Sequence, residues 1–580
     1  ESKLWKTISQ VAIPLFILTM LATGTRGPIV GLLAALIVIS IVLSLRKNNK
    51  KVQLFNKNIQ LRQIGIFILT ILLGIGGLFV ATRSNLIWQK IPGFDRLAQI
   101  SSDDISTQVR LINVGPSLKA VNPNESGWGR TLIGWGPDNF NIAYNGFYNP
   151  TIQKYELEWY DRAHNKILDV LVMNGAVGLV LYLVLWFHIF RFSFLRKKQD
   201  DNSSVDSIVN TSDQLPILFF ATAYFVQNLF VFDQITTYTP LVAFFGFIAY
   251  RYTQYYSGDD KFKDKKEANI NIFYVWLSSV VALMLVVAFI WLSIIPYQQM
   301  STFLKTIRLG DQTMLEENLD KITKPNNYAQ SEIRNQLLLT AKDLANTENS
   351  ANLILKILHL EEEIAAVSSK RPRTYSSIGY MYNSLGRISG VPEYFSKAEE
   401  NFNKSLELGP GRQDTMFHSA KNLISQGKIK EAIDVANNIV AIEPDGLRVK
   451  IYWLAITAPI DWMDEYKVID NINDYYDQER VVFSEGNSSE VAIASKLFTV
   501  FATIRESYNN YLIYFNSIKD GDSFLKTMEQ ALKLENTFKS IVQDMISLGI
   551  IEGPIVDNIE NLENGIKFFR IDGWNSINVQ

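Results

Sequence analysis

Seven apolar runs occupy the first half of this chain, and each approaches the length a helix needs to cross a lipid bilayer. About 20 mostly apolar residues span the hydrocarbon core; the runs fall at roughly 7–23, 28–45, 61–82, 164–195, 214–232, 238–254 and 271–296. Backbone surrounded by lipid must satisfy its own hydrogen bonds, so the runs predict helices rather than open strands. Beyond about residue 297 the long runs stop and the pattern turns polar with a helical period. The expected fold is all-α: a polytopic transmembrane helix bundle over 1–300, including a long loop at 83–163, then an α-helical domain over 301–580. The chain opens on Glu1 and enters a span almost at once, so it is read as lacking earlier spans.

Lysine and arginine in short loops set orientation. The 46–62 loop carries Arg46, Lys47, Lys50, Lys51, Lys57 and Arg62; Arg196, Lys197 and Lys198 follow the fourth run; the 251–266 loop carries Arg251, Lys261, Lys263, Lys265 and Lys266. The turn from Asp233 to Pro240 has none. The basic loops therefore face the cytoplasm. The break at Thr23–Pro28, the 83–163 loop and everything after about 297 face outward. A net charge of -2 implies no nucleic-acid partner, and the absence of cysteine excludes disulfides and a thiol nucleophile. No metal-binding or nucleotide-binding motif appears, so neither metal nor cofactor is expected.

Three basic residues then share the outer face. Arg26 is the one basic residue in its short turn, and a guanidinium fork suits phosphate oxygens. A snorkelling arginine at headgroup level would occupy the same place. Arg110 lies in the long loop. His164 sits in Asp161-Arg162-Ala163-His164-Asn165, where Asp161 is expected to cap the following helix. That would put His164 in the first turn, with the helix dipole keeping its ring neutral as a base; a purely capping, interfacial histidine is the alternative. His359 and His418 are read as packing residues. The turn Gly134-Trp135-Gly136-Pro137-Asp138-Asn139-Phe140 is predicted from its glycines and proline, and its backbone N–H groups are candidates for an anion. Trp135, Asp138, Asn139 and Asn165 are expected to contact substrate. Asp103-Asp104 is read as a solvated turn and Glu156/Glu158 as a helix face.

In this order, Thr25-Arg26-Gly27, Arg110-Leu111, the Gly-Trp-Gly-Pro turn and Ala163-His164-Asn165 with Gly175 and Gly178 behind it resemble the O-antigen ligase and polymerase superfamily. The likeness covers about residues 10–255. It implies a glycosyltransferase-C-like membrane enzyme of a bacterial-type cytoplasmic membrane, acting on a glycan carried by an undecaprenyl-type lipid pyrophosphate. By that likeness Arg26 and Arg110 would hold the pyrophosphate, and His164 would take the proton of an acceptor hydroxyl, with inversion at the sugar and no metal. The acceptor, a lipid, glycan or protein, stays open. Arg110 is followed by Leu-Ile-Asn-Val-Gly, without the tryptophan often found after the family's arginine.

In the second half, Ala398…Phe402…Pro410 recurs as Ala432…Ala436…Pro444 at an offset of 34, the period of a tetratricopeptide repeat. Gly386 and Gly427 are read as equivalent turns. Such repeats imply a protein partner on a concave surface. A non-catalytic envelope scaffold built on these repeats is the competing reading. A carrier of lipid-linked sugars ranks below both, because the runs at 28–45 and 271–296 have no charge in their interiors.

Overall fold

The computed structural model describes residues 3–45, 51–54, 57–91, 93–98, 104–156, 158–194, 214–256, 272–309, 312–327, 329–344, 351–367, 370–444, 447–460, 507–508 and 510–530. It divides into two compact units, 1–147 with 158–278, and 148–157 with 279–580.

The first unit holds α1 (Lys3–Ala22), α2 (Arg26–Ser44), the hairpin β1 (Lys51–Leu54) and β2 (Lys57–Gln60), and α3 (Leu61–Thr82). The long loop is itself helical: α4 (Leu86–Gln89), α5 (Phe94–Ala98), α6 (Ile105–Lys119), α7 (Pro123–Ile133) and α8 (Phe140–Gly146). Then come α9 (Lys166–Phe192), α10 (Gln214–Gln227) and α11 (Ile235–Tyr256). Among the described residues four helices are long and apolar enough to cross a membrane: Arg26–Ser44, Leu61–Thr82, Lys166–Phe192 and Trp276–Arg308. Thr7–Ala22 and Gln214–Gln227 are apolar but shorter. The run expected to reach residue 232 ends at Gln227, because residues 228–233 turn back toward the start of α9.

Small residues decide how these helices meet. Gly27, Gly31 and Ala35 recur every fourth position of α2 and are buried, so they form one stripe. A Cβ on Gly31 would lie 2.5 Å from the Ala223 carbonyl oxygen of α10. A Cβ on Gly65 of α3 would lie 2.6 Å from the Leu43 Cβ. Close backbone approach is how spanning helices associate where lipid removes the hydrophobic incentive.

The cap of α9 differs from the expectation. Asn165, not Asp161, is the N-cap: its Oδ1 accepts from the N–H groups of Ile167 and Leu168 at 3.0 and 3.1 Å. His164 has a left-handed φ of 54°, so it stands just before the helix rather than in its first turn. The reason is tertiary. The Lys166 N–H donates to the Asn228 carbonyl at 2.8 Å, and Asn165 Nδ2 donates to the Leu229 carbonyl at 3.1 Å, so the 228–233 turn fixes where the helix starts. Glu156 and Glu158 lie in irregular chain rather than on a helix.

The second unit begins within α12 (Ile272–Phe289), which continues through one π turn, Ile290–Ile294, into α13 (Ile295–Leu309). The boundary expected near 300 therefore falls inside one continuous helix. There follow α14 (Gln312–Thr323), α15 (Gln330–Leu344), α16 (Ala351–Val367), α17 (Pro372–Ser389), α18 (Pro392–Leu408), α19 (Gln413–Ser425), α20 (Ile429–Ile442) and α21 (Leu447–Thr457). From α15 to α21 each packs on the next. Ala398, Phe402, Ala432 and Ala436 are wholly buried. Gly386 is not a turn residue: it lies within α17, where a Cβ would come 2.6 Å from the Phe395 ring. The turn is made by Gly390, whose φ of 67° ends the helix with an N–H bond to the Gly386 carbonyl. His418 is surrounded by Tyr380, Phe402 and Phe417, whereas the His359 side chain is 75% exposed and so is not a packing residue.

Residues 148–157 belong to this unit by their contacts. Tyr148 lies under the Arg412 guanidinium at 4.7 Å, Gln153 Nε2 donates to the Tyr148 hydroxyl at 3.0 Å, and Lys154 pairs with Glu443 at 2.8 Å. The unit also buries Glu361, 3% exposed. Burial pushes its carboxyl up to about 7, against the opposing charges of Arg334 and Arg373. An acid whose folded pKa is raised binds its proton more tightly when folded, so stability falls as pH rises from 4.5 through about 7. Glu361→Gln is expected to stabilise the unit by about 3 kcal/mol at alkaline pH, and by little once the wild-type carboxyl is protonated in both states. Hydrogen exchange of residues 351–367 in the whole protein at both pH extremes checks this; equal protection gains at both would refute it.

Candidate functional site

Around the start of α9 the first unit gathers the basic residues. The His164 ring lies between Tyr160 and Phe232, with centroids 6.1 and 5.1 Å away. Burial, and then the positive charge of Arg110, push its pKa below the usual 6.5, with Asp161 pulling the other way. The ring is thus neutral at neutral pH, as a proton acceptor must be. Desolvation and a neighbouring cation cause this, not the first-turn dipole. The backbone before it is held by Asp169, whose Oδ1 accepts the Ala163 N–H at 2.6 Å.

Arg26 opens α2 and forms a two-pronged pair with Asp104, Nη1–Oδ2 2.6 Å and Nη2–Oδ1 3.1 Å. Asp104 also caps α6, accepting from the Thr107 N–H and hydroxyl at 3.2 and 3.1 Å. Asp104 is therefore no solvated turn residue: a partner 78 positions away engages it. Asp103 lies outside the described residues. The Arg26 hydrogen bond, opposed by burial, holds the Asp104 carboxyl below its ordinary 3.8. A depressed acid contributes stability at neutral pH that is lost only as pH falls through its folded pKa. Asparagine caps as well as aspartate, so Asp104→Asn removes the charge and spares the cap. It should cost roughly 1–3 kcal/mol, read as faster hydrogen exchange at 105–110; unchanged exchange would show the pair to be idle.

These groups converge through two routes. Arg26 reaches Asp104 at the head of α6, and α6 carries Arg110, which acts on His164. On the other side, a Cβ on Gly27 would lie 3.4 Å from Val231, in the same 228–233 turn whose Phe232 packs on His164. Asp233 of that turn pairs with Lys166 at 2.7 Å and accepts from Asn228 Nδ2 at 3.0 Å. The structure brings Arg26, Arg110, His164 and Asn165 to one end of the helix bundle.

The glycine turn is nearby but spends its backbone differently from the expectation. The N–H groups of Trp135 and Gly136 donate to the carbonyls of Val172 and Met173, both at 2.9 Å, so they are not free to cradle an anion. Those carbonyls are accessible because α9 breaks at Gly175. Trp135 also donates its indole N–H to the Ala120 carbonyl at 2.7 Å and carries the Arg130 guanidinium 4.6 Å from its ring centre. Asn139 Nδ2 donates to the Trp135 carbonyl at 3.1 Å. Asp138, with a left-handed φ of 64°, accepts from Arg162 Nη2 at 2.9 Å. Sequence reasoning missed Asp104, Arg162, Asp169 and Asp233. An acid in a helix's first turn, as at Asp169, is an ordinary complement to the dipole and carries no mark of this bond.

Among the described residues four helices are long and apolar enough to span a membrane, as in a multi-pass membrane protein, and the first unit carries a basic, histidine-bearing cluster that is a candidate anion site. Residues 11–183 match the family model described as O-antigen ligase. The matched stretch takes in Arg26, Arg110, the glycine turn and His164, and supports the ligase superfamily for this part of the chain. No curated protein matches.

Proposed function

We propose that the chain is a membrane glycan ligase that moves a glycan from a lipid-linked pyrophosphate, undecaprenyl in type, to an acceptor hydroxyl. The observation that carries this reading is a half-buried histidine with a depressed pKa beside Arg110, at the same end of the bundle as Arg26. His164 takes the acceptor's proton while the acceptor oxygen bonds to the sugar's anomeric carbon. The carbon–oxygen bond to phosphate breaks on the opposite face, its electron pair leaving with the lipid pyrophosphate, so the configuration inverts. Arg26 and Arg110 stabilise that charge as it develops. Trp135, Asp138 and Asn139 border the glycan. Asn165 touches substrate in this reading and also sets the backbone of His164. The site faces outward, as does the second unit, whose tetratricopeptide-like helix pairs recruit an acceptor or protein partner.

One observation favours the scaffold reading: Arg26 is already satisfied by Asp104, as in a structural ion pair. The two readings part in membranes supplied with a lipid-pyrophosphate-linked oligosaccharide and EDTA. Glycan transfer or release above that of membranes lacking the protein supports the ligase, and its persistence in EDTA supports a metal-independent reaction. Consumption equal to the protein-free control, across several donors and acceptors, would leave the scaffold.

A further inference from the structure

Helix α7 is built inside out. It is broken at Gly127, with φ 80° and ψ 157°, and over the following turns its polar residues point inward. Arg130 donates to the Gly134 carbonyl at 3.3 Å and covers the Trp135 ring, and the Thr131 hydroxyl donates to the Val121 carbonyl at 2.8 Å. The apolar residues point out: Trp128 is 68% exposed, Leu132 46% and Ile133 71%. A short helix washed by water would be expected to show the reverse pattern, because exposing large apolar side chains forfeits about 25 cal/mol per Å².

The depth of the segment is the second observation. Residues 132–136 run backbone to backbone along 172–175 of α9, where a Cβ on Gly175 would sit 2.3 Å from the Leu132 carbonyl oxygen. Met173 and Gly175 are seven and nine residues beyond Lys166, the first residue of the helix. At 1.5 Å per residue that is about 10–14 Å along a helix of 27 residues, about 40 Å long. A hydrocarbon core about 30 Å thick takes in this level whether it is set against the first or the last residue of the helix. The exposed face of α7 thus sits at the level of α9, whose Val177, Val180 and Leu181 are 52%, 57% and 64% exposed. Irregular backbone at membrane depth is tolerated only where protein satisfies it, and the Trp135 and Gly136 N–H groups are satisfied by α9.

We infer that Trp128–Ile133 is a re-entrant segment whose outer face is covered by the acyl chains of the bilayer, not by water or a partner protein. It makes the long loop partly a membrane element and holds the glycine turn against the spanning helix. The inference rests on α9 crossing the membrane and is independent of the ligase reading.

The chain has no cysteine, so a single introduced cysteine carries a unique nitroxide. The whole protein in phosphatidylcholine–phosphatidylglycerol liposomes would be labelled at Ile133→Cys and Trp128→Cys, with Val180→Cys as lipid reference and Asn124→Cys as the water-side comparison. Relaxation by oxygen and by a water-soluble nickel chelate reports the surroundings. The expected result is that labels at 133 and 128 lose relaxation by nickel and keep that by oxygen, as at Val180, while the label at 124 responds to nickel. Nickel access at 133 and 128 equal to that at 124 would overturn the inference. Shielding from both reagents would overturn it too, by showing protein on that face. Two labelled positions guard against one substitution disturbing the fold.

Discussion

Glycan transfer by His164→Ala should fall by about 10²–10⁴-fold, the range general base catalysis contributes, with donor binding retained. Binding is expected to survive because the charges proposed to hold the anion are Arg26 and Arg110, which the substitution leaves in place. Alanine disfavours the left-handed φ of 54° that His164 adopts, so His164→Asn is the needed companion: asparagine visits that region readily and supplies no base. Both variants should lose turnover alike. An asparagine variant with wild-type turnover would remove His164 from the chemistry. The pH profile gives a second reading of the same site. A base must be unprotonated, and burial with Arg110 lowers the imidazole pKa, so the acid limb should lie below 6.5. Arg110→Gln should move that limb upward toward the ordinary histidine value while weakening donor binding. A limb unmoved by the substitution would separate Arg110 from His164.

The spans and the neighbourhood of this site differ in how far the sequence discloses them. Apolar runs are read directly, because lipid imposes a length and a composition that few other environments impose. The start of α9 shows where that stops. Asp161 and Asn165 are both good caps by residue type, and the choice between them was made by the Asn228 and Leu229 carbonyls more than sixty residues away. Arg26 was legible as an unusual charge at a span's edge. Asp104 was not legible as its partner, since a carboxylate beside another carboxylate usually means solvent. The same limit explains Gly386: both it and Gly390 fit a helix end, and the packing of Phe395 on the first and the left-handed φ of the second separate them. Local chemistry named the candidates, and packing and long-range hydrogen bonds chose among them.

The crossing of the glycine turn with α9 yields the second large effect. Gly134 has φ 76° and ψ -168°, and Gly175 has φ 67° and ψ -172°, a region essentially reserved for glycine. Each also meets backbone: a Cβ on Gly134 would lie 2.5 Å from Met173 C and O, and one on Gly175 2.3 Å from the Leu132 carbonyl oxygen. Backbone cannot swing aside as a side chain does, so alanine at either place must push the two strands of chain apart. The strain costs of order 1–3 kcal/mol, and losing the Trp135 and Gly136 hydrogen bonds adds about 1 kcal/mol each. Gly134→Ala and Gly175→Ala should therefore release the turn from α9, seen as fast hydrogen exchange over 132–139 and lost transfer. Two internal controls grade the effect. At Gly136, φ 97°, a Cβ would meet only the Asn139 side-chain nitrogen at 3.1 Å, and at Gly129 it would meet nothing within 4 Å. Gly129→Ala should behave as wild type and Gly136→Ala should fall between. If Gly134→Ala exchanged no faster than Gly129→Ala, the backbone crossing would not be what holds this turn in place.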